Sequence, residues 1–239
     1  MPNIEYLWFS LYNNIIMGGD FLENSENKII SKTFFWMFLG LLGTGLVAFY
    51  TYTSDLYLSI FSSPSSLGIL AIVEVVVVLL FSFLFKKLPP LVVGILYFIY
   101  SFINGFTFSS IFAVFELNSI IYVFFLTAIL YAVLAFCGYK TNINVTKWST
   151  ILFIALIISL VASIINIFVG NSLLDIALNW IIIFIFAGYT VYDMHILKEL
   201  SNDSSLNPEK IYIYCAMQLY LDFINLFIRL LSIFGRSKD

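Results

Sequence analysis

Four ionisable side chains lie inside stretches that are otherwise apolar: Glu74, Asp193, Asp222 and Arg229. Placing such a group within hydrocarbon costs about 2.5–3.5 kcal/mol on insertion scales, so each needs a partner or a task. Neutral polar residues accompany them: Asn104 and Thr107, Asn179 and Thr190, Gln218 and Asn225. The C-terminal stretch concentrates the group. Gln218, Asp222, Asn225 and Arg229 step by four, three and four, and so share one stripe of a helix. A stripe of that kind must face protein or water, because lipid satisfies none of it. Two readings follow. In one the stripe is a structural network, with Asp222 or its neighbours pairing with Arg229 or bonding across to other helices. In the other the carboxyls do chemistry.

The second reading turns on Asp193 and Asp222. They flank a short break at 198–210, and helices joined by a short loop pack antiparallel. A turn centred near Leu206 sets Asp193 opposite Leu219, about one helical turn, ~5 Å, from Asp222. Two carboxylates in a medium of low dielectric do not both ionise cheaply, so a facing pair holds a proton between them and titrates as a unit. The shared proton ties two helices together. Its loss leaves two negative charges that repel one another and attract a cation, and hard oxygen ligands suit Ca²⁺. The chemistry expected of Asp193 and Asp222 is that of a proton sensor and gate that also offers ligands to Ca²⁺.

The elements that position these residues are membrane helices. Of the 239 residues, 62% are apolar and 10% charged, against roughly 45–50% and 25% in a soluble domain. Mean hydropathy is +1.01. With 11 Lys and Arg against 14 Asp and Glu there is no basic footprint for nucleic acid. Seven apolar runs, roughly 33–52, 66–85, 91–115, 119–138, 148–169, 173–196 and 211–234, are each long enough to cross ~30 Å of hydrocarbon. Nothing alternates as barrel strands would. The predicted fold is an all-α, polytopic seven-helix bundle over 31–236, preceded by an N-terminal tail at 1–30. In that tail Ile4, Leu7, Trp8, Leu11, Tyr12, Ile15 and Ile16 recur at helical spacing, as in a helix lying on the membrane; Gly18-Gly19-Asp20 and the acids beyond favour a loose tail. No cleavable signal is visible in this stretch.

Lysines set the orientation. Lys28, Lys32, Lys86, Lys87, Lys140, Lys147, Lys198 and Lys210 all fall before the first run or in the even-numbered breaks, and the odd-numbered breaks hold no Lys or Arg. The N-terminus is therefore expected in the cytosol. Arg236 and Lys238 end on the other face if the last run crosses fully, and on the same face if it dips in and returns; a full crossing is favoured. Small residues at Ser101, Gly105 and Ser109, and at Ala155, Ser159 and Ser163, allow close helix approach. Cys137 and Cys215 read as small buried hydrophobes, not a disulfide. The single His195 belongs to the membrane edge, and Tyr and Trp near run ends read as interfacial anchors.

At this point the sequence resembles the transmembrane Bax inhibitor motif family, the kin of Bax inhibitor-1. The stretch Leu219-Tyr220-Leu221-Asp222-Phe223-Ile224-Asn225-Leu226-Phe227 is similar to the family's C-terminal signature. Val191-Tyr192-Asp193 resembles the end of its sixth span, Asn104–Ser109 its third, and Glu74 stands where it places a second-span glutamate. Thr127-Ala128 and Gly138–Thr141 are similar to its fourth span and following loop. The resemblance implies six spans around a central seventh, a pH-dependent Ca²⁺ leak, and Asp193 and Asp222 as the paired sensor. It also implies that Glu74 and Asn225 line the cation path. Relatives often carry a basic residue closing span two that latches onto the sixth-span aspartate. Here Phe85 occupies that place and Lys86 follows it, so Lys86 and Arg229 are the candidate ion-pair partners. The loop after span four usually reads basic-then-acidic, where this chain has Asn142-Ile143-Asn144.

The expected function is a pH-sensitive Ca²⁺ leak with no cofactor, Ca²⁺ and H⁺ being what it handles and lipid and other membrane proteins being its partners. The rival is a regulatory protein that modulates cell death or a membrane protease by binding, without transport. An enzyme is not expected: there is no serine or cysteine nucleophile with a base and no metal-ligand cluster. An intramembrane aspartyl protease would need both carboxyls in an accessible water pocket. Abundant Ile, Asn and Phe point to a bacterial cell membrane, with an organelle membrane as the eukaryotic alternative.

Overall fold

The computed structural model describes residues 4–62, 64–141, 146–203 and 205–238, with the side chains of the first helix described from residue 25 onward. Among the described residues the chain forms α1 (Ile4–Thr53), α2 (Leu56–Ile60), α3 (Pro64–Leu84), α4 (Pro90–Val114), α5 (Leu117–Lys140), α6 (Thr146–Val169), α7 (Ser172–Ser201) and α8 (Pro208–Phe234). Six of these hold spans long and apolar enough to cross a membrane, from Ser25–Thr53 through Pro208–Phe234. The seventh is α3, whose 21 residues are apolar over Ile72–Leu84. The seven expected runs are all present, in order. The backbone of α1 is helical without interruption from Ile4, so this helix extends well beyond its span. The apolar repeat of residues 4–16 and the loop Asn142–Asn144 lie outside the described side chains.

Stop and start signals act as their chemistry dictates. Proline opens α3, α4 and α8, where its missing N–H costs nothing. Asn171 accepts the first amides of α7 from Leu173 and Leu174, and Asn207 accepts that of Glu209 at the head of α8. Gly170 ends α6 in the left-handed region at φ 67°.

The last helix is the core. Of its span, 72% is buried inside the bundle, against 11–44% for the other long spans. α8 packs directly on α1, α4, α5 and α7; α3 leans on α4 and α6 on α7. The central placement of the seventh span is thus present, with four helices in backbone contact and α3 reaching α8 through the rings of Phe81 and Phe85 on Tyr214. Hydroxyls lock one side: Thr44 on α1 bonds both the Ser101 carbonyl on α4 (2.9 Å) and the Tyr220 hydroxyl on α8 (2.7 Å). The Tyr97 hydroxyl donates to the Trp36 carbonyl at 2.9 Å, and the Trp36 ring lies against Tyr97, Phe98 and Tyr212. Trp36 is therefore packing, not an interfacial anchor, while Trp148 does face outward. Ser101, Gly105 and Ser109 are buried on the α1–α4 seam as their spacing predicts. Both thiols are free; Cys215 is buried, but Cys137 is exposed on α5, contrary to the expectation for it.

The last helix crosses completely. Its tail pairs with the α4–α5 turn, Glu116 N–H donating to the Arg236 carbonyl at 3.0 Å and Lys238 N–H to the Val114 carbonyl at 2.9 Å. The Arg236 guanidinium reaches Glu116 at 4.0 Å, and Lys238 Nζ donates to the Phe112 carbonyl at 2.7 Å. Arg236 and Lys238 thus stand at the end opposite the eight other lysines. That end also carries Asp55, Glu116 and Asp175, and is called the acidic end below; the other is the basic end.

α5 and α7 approach most closely at Gly138, where a methyl group would enter the Val191 carbonyl and the Met194 side chain. Gly45, by contrast, faces open space. Gly138→Ala is expected to destabilise the protein by roughly 1–3 kcal/mol through overpacking. Gly45→Ala should not lower stability, as read by thermal unfolding in detergent. Equal midpoints for the two variants would contradict this packing.

Candidate functional site

α7 and α8 bring Asp193 and Asp222 together. The two carboxyls lie within hydrogen-bonding reach of one another, the approach that the antiparallel register predicts. Neither carboxylate can donate, so a bond between them needs a proton on one of them. Asp222 is 3% exposed, and no N–H or O–H of the described residues reaches its Oδ2, which leaves a carboxyl proton to fill that place. Asp193 is half-buried and lies nearer the basic end. The pair sits between close-packed helices, because Gly138 of α5 lets α7 approach beside Val191 and Met194.

Tyrosines surround it. Tyr131 from α5 is buried, donates its hydroxyl to the Leu219 carbonyl at 3.2 Å, and lies within electrostatic reach of both aspartates. Tyr189 and Tyr214 lie within electrostatic reach of Asp193. Tyr214 is itself stacked on Phe85 at 4.0 Å and 18°, and parallel to Phe81 at 6.2 Å. Sequence reasoning missed these rings. Their only signal was tyrosine in helix interiors, where a hydroxyl must find a partner.

A polar column continues from Asp222 toward the acidic end. Asn225 and Arg229 of α8 line a cavity of about 400 Å³ together with Glu74 of α3, Tyr100 of α4, Leu156 of α6 and Ile182 of α7. Such a space is roomy and polar enough for water. Glu74 is half-buried and accepts a hydrogen bond from Thr107 Oγ1 at 2.6 Å. Asn225 turns its amide back to the Leu221 carbonyl at 2.8 Å. Arg229 Nη1 donates to Asn179 Oδ1 at 3.1 Å, and Asn179 Nδ2 to Asp175 Oδ2 at 3.4 Å.

Two expected partners are thereby relocated. Arg229 lies two turns below Asp222 and serves α7 at Asn179 and Asp175, not the aspartate pair, because the seven-residue step along α8 carries it ~10 Å away. Lys86 lies past the end of α3 and its ammonium stands over the Phe85 ring at 5.9 Å, with no ion pair to Asp193 among the described residues. His195 pairs with Glu199 at 3.3 Å along α7. No cluster of three or more His, Cys, Asp or Glu occurs among the described residues. Asp193 and Asp222 alone supply far fewer than the six to eight oxygens that a resident Ca²⁺ takes.

Fold and site together define a multi-pass α-helical membrane protein with a buried carboxyl pair between its last two spans. A family model described as "Inhibitor of apoptosis-promoting Bax1" matches residues 26–239, and the chain belongs to that family. It is 35% identical to the inner membrane protein YbhL of Escherichia coli strain K12 over 215 residues, 87% of this chain and 92% of the relative. It is 32% identical to a membrane protein of Streptococcus pyogenes serotype M1 over 203 residues, 82% of this chain and 88% of the relative. A Borreliella burgdorferi protein is 30% identical over 219 residues, 90% of this chain and 94% of the relative. The resemblance read from the motifs is thus the family, and these relatives are bacterial.

The relay at the acidic end generates a quantitative expectation. Arg229→Gln and Asn179→Leu each remove one partner of a buried pair, and the double variant should recover part of the summed loss. A double-mutant cycle of unfolding free energies is expected to give a coupling of about 0.5–3 kcal/mol. Strict additivity would mean that the 3.1 Å contact contributes nothing.

Proposed function

We propose that the protein is a pH-sensitive Ca²⁺ leak whose gate is the Asp193–Asp222 pair. The observation that carries this is two facing carboxyls, one almost fully buried, within reach of a bond that requires a proton. With the proton in place α7 is held on α8 and the column is shut. When it leaves, two like charges in a medium of low dielectric repel, α7 and α8 part locally, and the same oxygens present a negative site to a cation. Tyr131 keeps α5 on the Leu219 carbonyl, one turn from the pair, so motion there is confined to α7.

Beyond the pair, Glu74 and Asn225 offer oxygens to the ion in a cavity wide enough for it to keep part of its water. Arg229 stands at the far end of that cavity as a positive barrier, held by Asn179 and drawn by Asp175. The basic end lies in the cytosol in this reading, by the eight lysines it carries against Arg236 and Lys238 opposite.

A second reading is a protein that modulates cell death or a membrane protease by binding, and the family description, an inhibitor of apoptosis-promoting Bax1, favours its cell-death form. Purified protein in liposomes separates the two. Ca²⁺ flux should rise as pH is raised and the pair loses its proton, and both Asp222→Asn and Asp193→Asn should abolish that pH dependence. Identical, pH-independent flux in parent and variants would end the gating claim, and no flux at all would leave regulation by binding as the function.

A further inference from the structure

A second cavity, of about 470 Å³, opens at the basic end beneath the α7–α8 loop. It is bounded by the end of α3, the last turns of α7 and the head of α8. Its walls are Phe85, Ile196, Leu200 and Ile211, its floor is Tyr214, and its rim carries Lys86 and Lys210. The two lysines come from elements far apart in sequence. Lys210 Nζ donates to the Lys86 carbonyl at 3.0 Å, which fixes their separation and leaves Lys210 further N–H donors and the whole Lys86 ammonium unspent on acids. Among the described residues no carboxylate lines the space: Asp203 is turned to the Ser205 amide at 2.8 Å, and Glu209 belongs to the first turn of α8 outside it.

We infer that this cavity binds the phosphate headgroup of an anionic phospholipid, gripped between Lys86 and Lys210. Two features select a lipid over a soluble anion. Lys86 lies two residues past the end of the apolar helix α3 and Lys210 in the first turn of the span α8, which puts both at headgroup depth. Two uncompensated ammoniums match one phosphodiester and its neighbourhood in an anionic leaflet. The site also lies near the carboxyl pair, since its floor ring, Tyr214, is within electrostatic reach of Asp193. An occupant would therefore hold the Phe85–Tyr214 stack from outside. The binding claim does not rest on the leak.

The test uses native mass spectrometry of the full chain released from detergent after incubation with phosphatidylglycerol, with phosphatidylcholine, or with glycerol phosphate. The parent is expected to retain phosphatidylglycerol selectively. Lys86→Gln with Lys210→Gln should weaken that retention by roughly tenfold to thirtyfold, the scale of two lysine–lipid contacts. Lys28→Gln with Lys147→Gln, which removes the same charge from other exposed positions of the basic end, should leave it unchanged. Three results would overturn the inference: equal retention of the two lipids by the parent, equal losses in the two double variants, or glycerol phosphate bound as tightly as the lipid. A thermal midpoint for the Lys86–Lys210 variant equal to the parent's shows that its loss is not unfolding; a collapsed midpoint shifts the comparison to Lys86→Gln alone, for which about half the logarithmic effect is expected.

Discussion

Nothing polar inside the hydrocarbon slab can be left to water, and that constraint organises this molecule. Each polar side chain on the spans must find its partner on another helix or on a carbonyl of its own, and several of the cross-helix pairs involve α8. Asp222 meets Asp193, Tyr220 meets Thr44, and Arg229 meets Asn179. The helix with the most to hide is therefore the one at the centre, with 72% of its span buried. The outermost helix, α6, is almost purely apolar, is 11% buried, and satisfies its own serines through backbone carbonyls one turn back.

The same constraint separates the two halves of the bundle. Around α1, α4 and the near face of α8, the hydroxyls of Thr44, Tyr220 and Tyr97 form short neutral bonds between rigid helices. On the far face the bonds are made by groups that change charge. A neutral hydroxyl network has one state, whereas a carboxyl pair has two, with the proton and without it. The account places motion on that side: α7 is the element that the pair ties down, and Gly138 is where α5 lets it come close.

Much of this was legible in the residue order. The seven runs, their stop signals and the antiparallel register that faces Asp193 with Asp222 follow from apolar length, proline and loop spacing. Three-and-four stepping along α8 announced a polar stripe, and the stripe is present. It could not announce which helix each polar residue faces. A helix stripe covers a broad arc, so Asp222 turns to α7 while Asn225 and Arg229 turn to the cavity bounded by α3 and α6. That is why Arg229, near Asp222 in sequence, serves Asn179 instead. Lys86 was misplaced for a related reason: one residue beyond the span end, its flexible stem carries the charge out to the membrane edge. The tyrosine shell and the tail clasp of Arg236 and Lys238 on the α4–α5 turn are long-range contacts that no local pattern encodes.

The account depends on a proton held between Asp193 and Asp222 in the closed protein. Infrared titration in lipid reads that proton directly, as the protonated-carboxyl band of the parent minus that of the Asp193→Asn, Asp222→Asn double variant. The account predicts a difference band worth one carboxyl group at acidic to neutral pH that disappears as pH is raised. A difference spectrum without any protonated-carboxyl band across the pH range in which both proteins remain folded would contradict it.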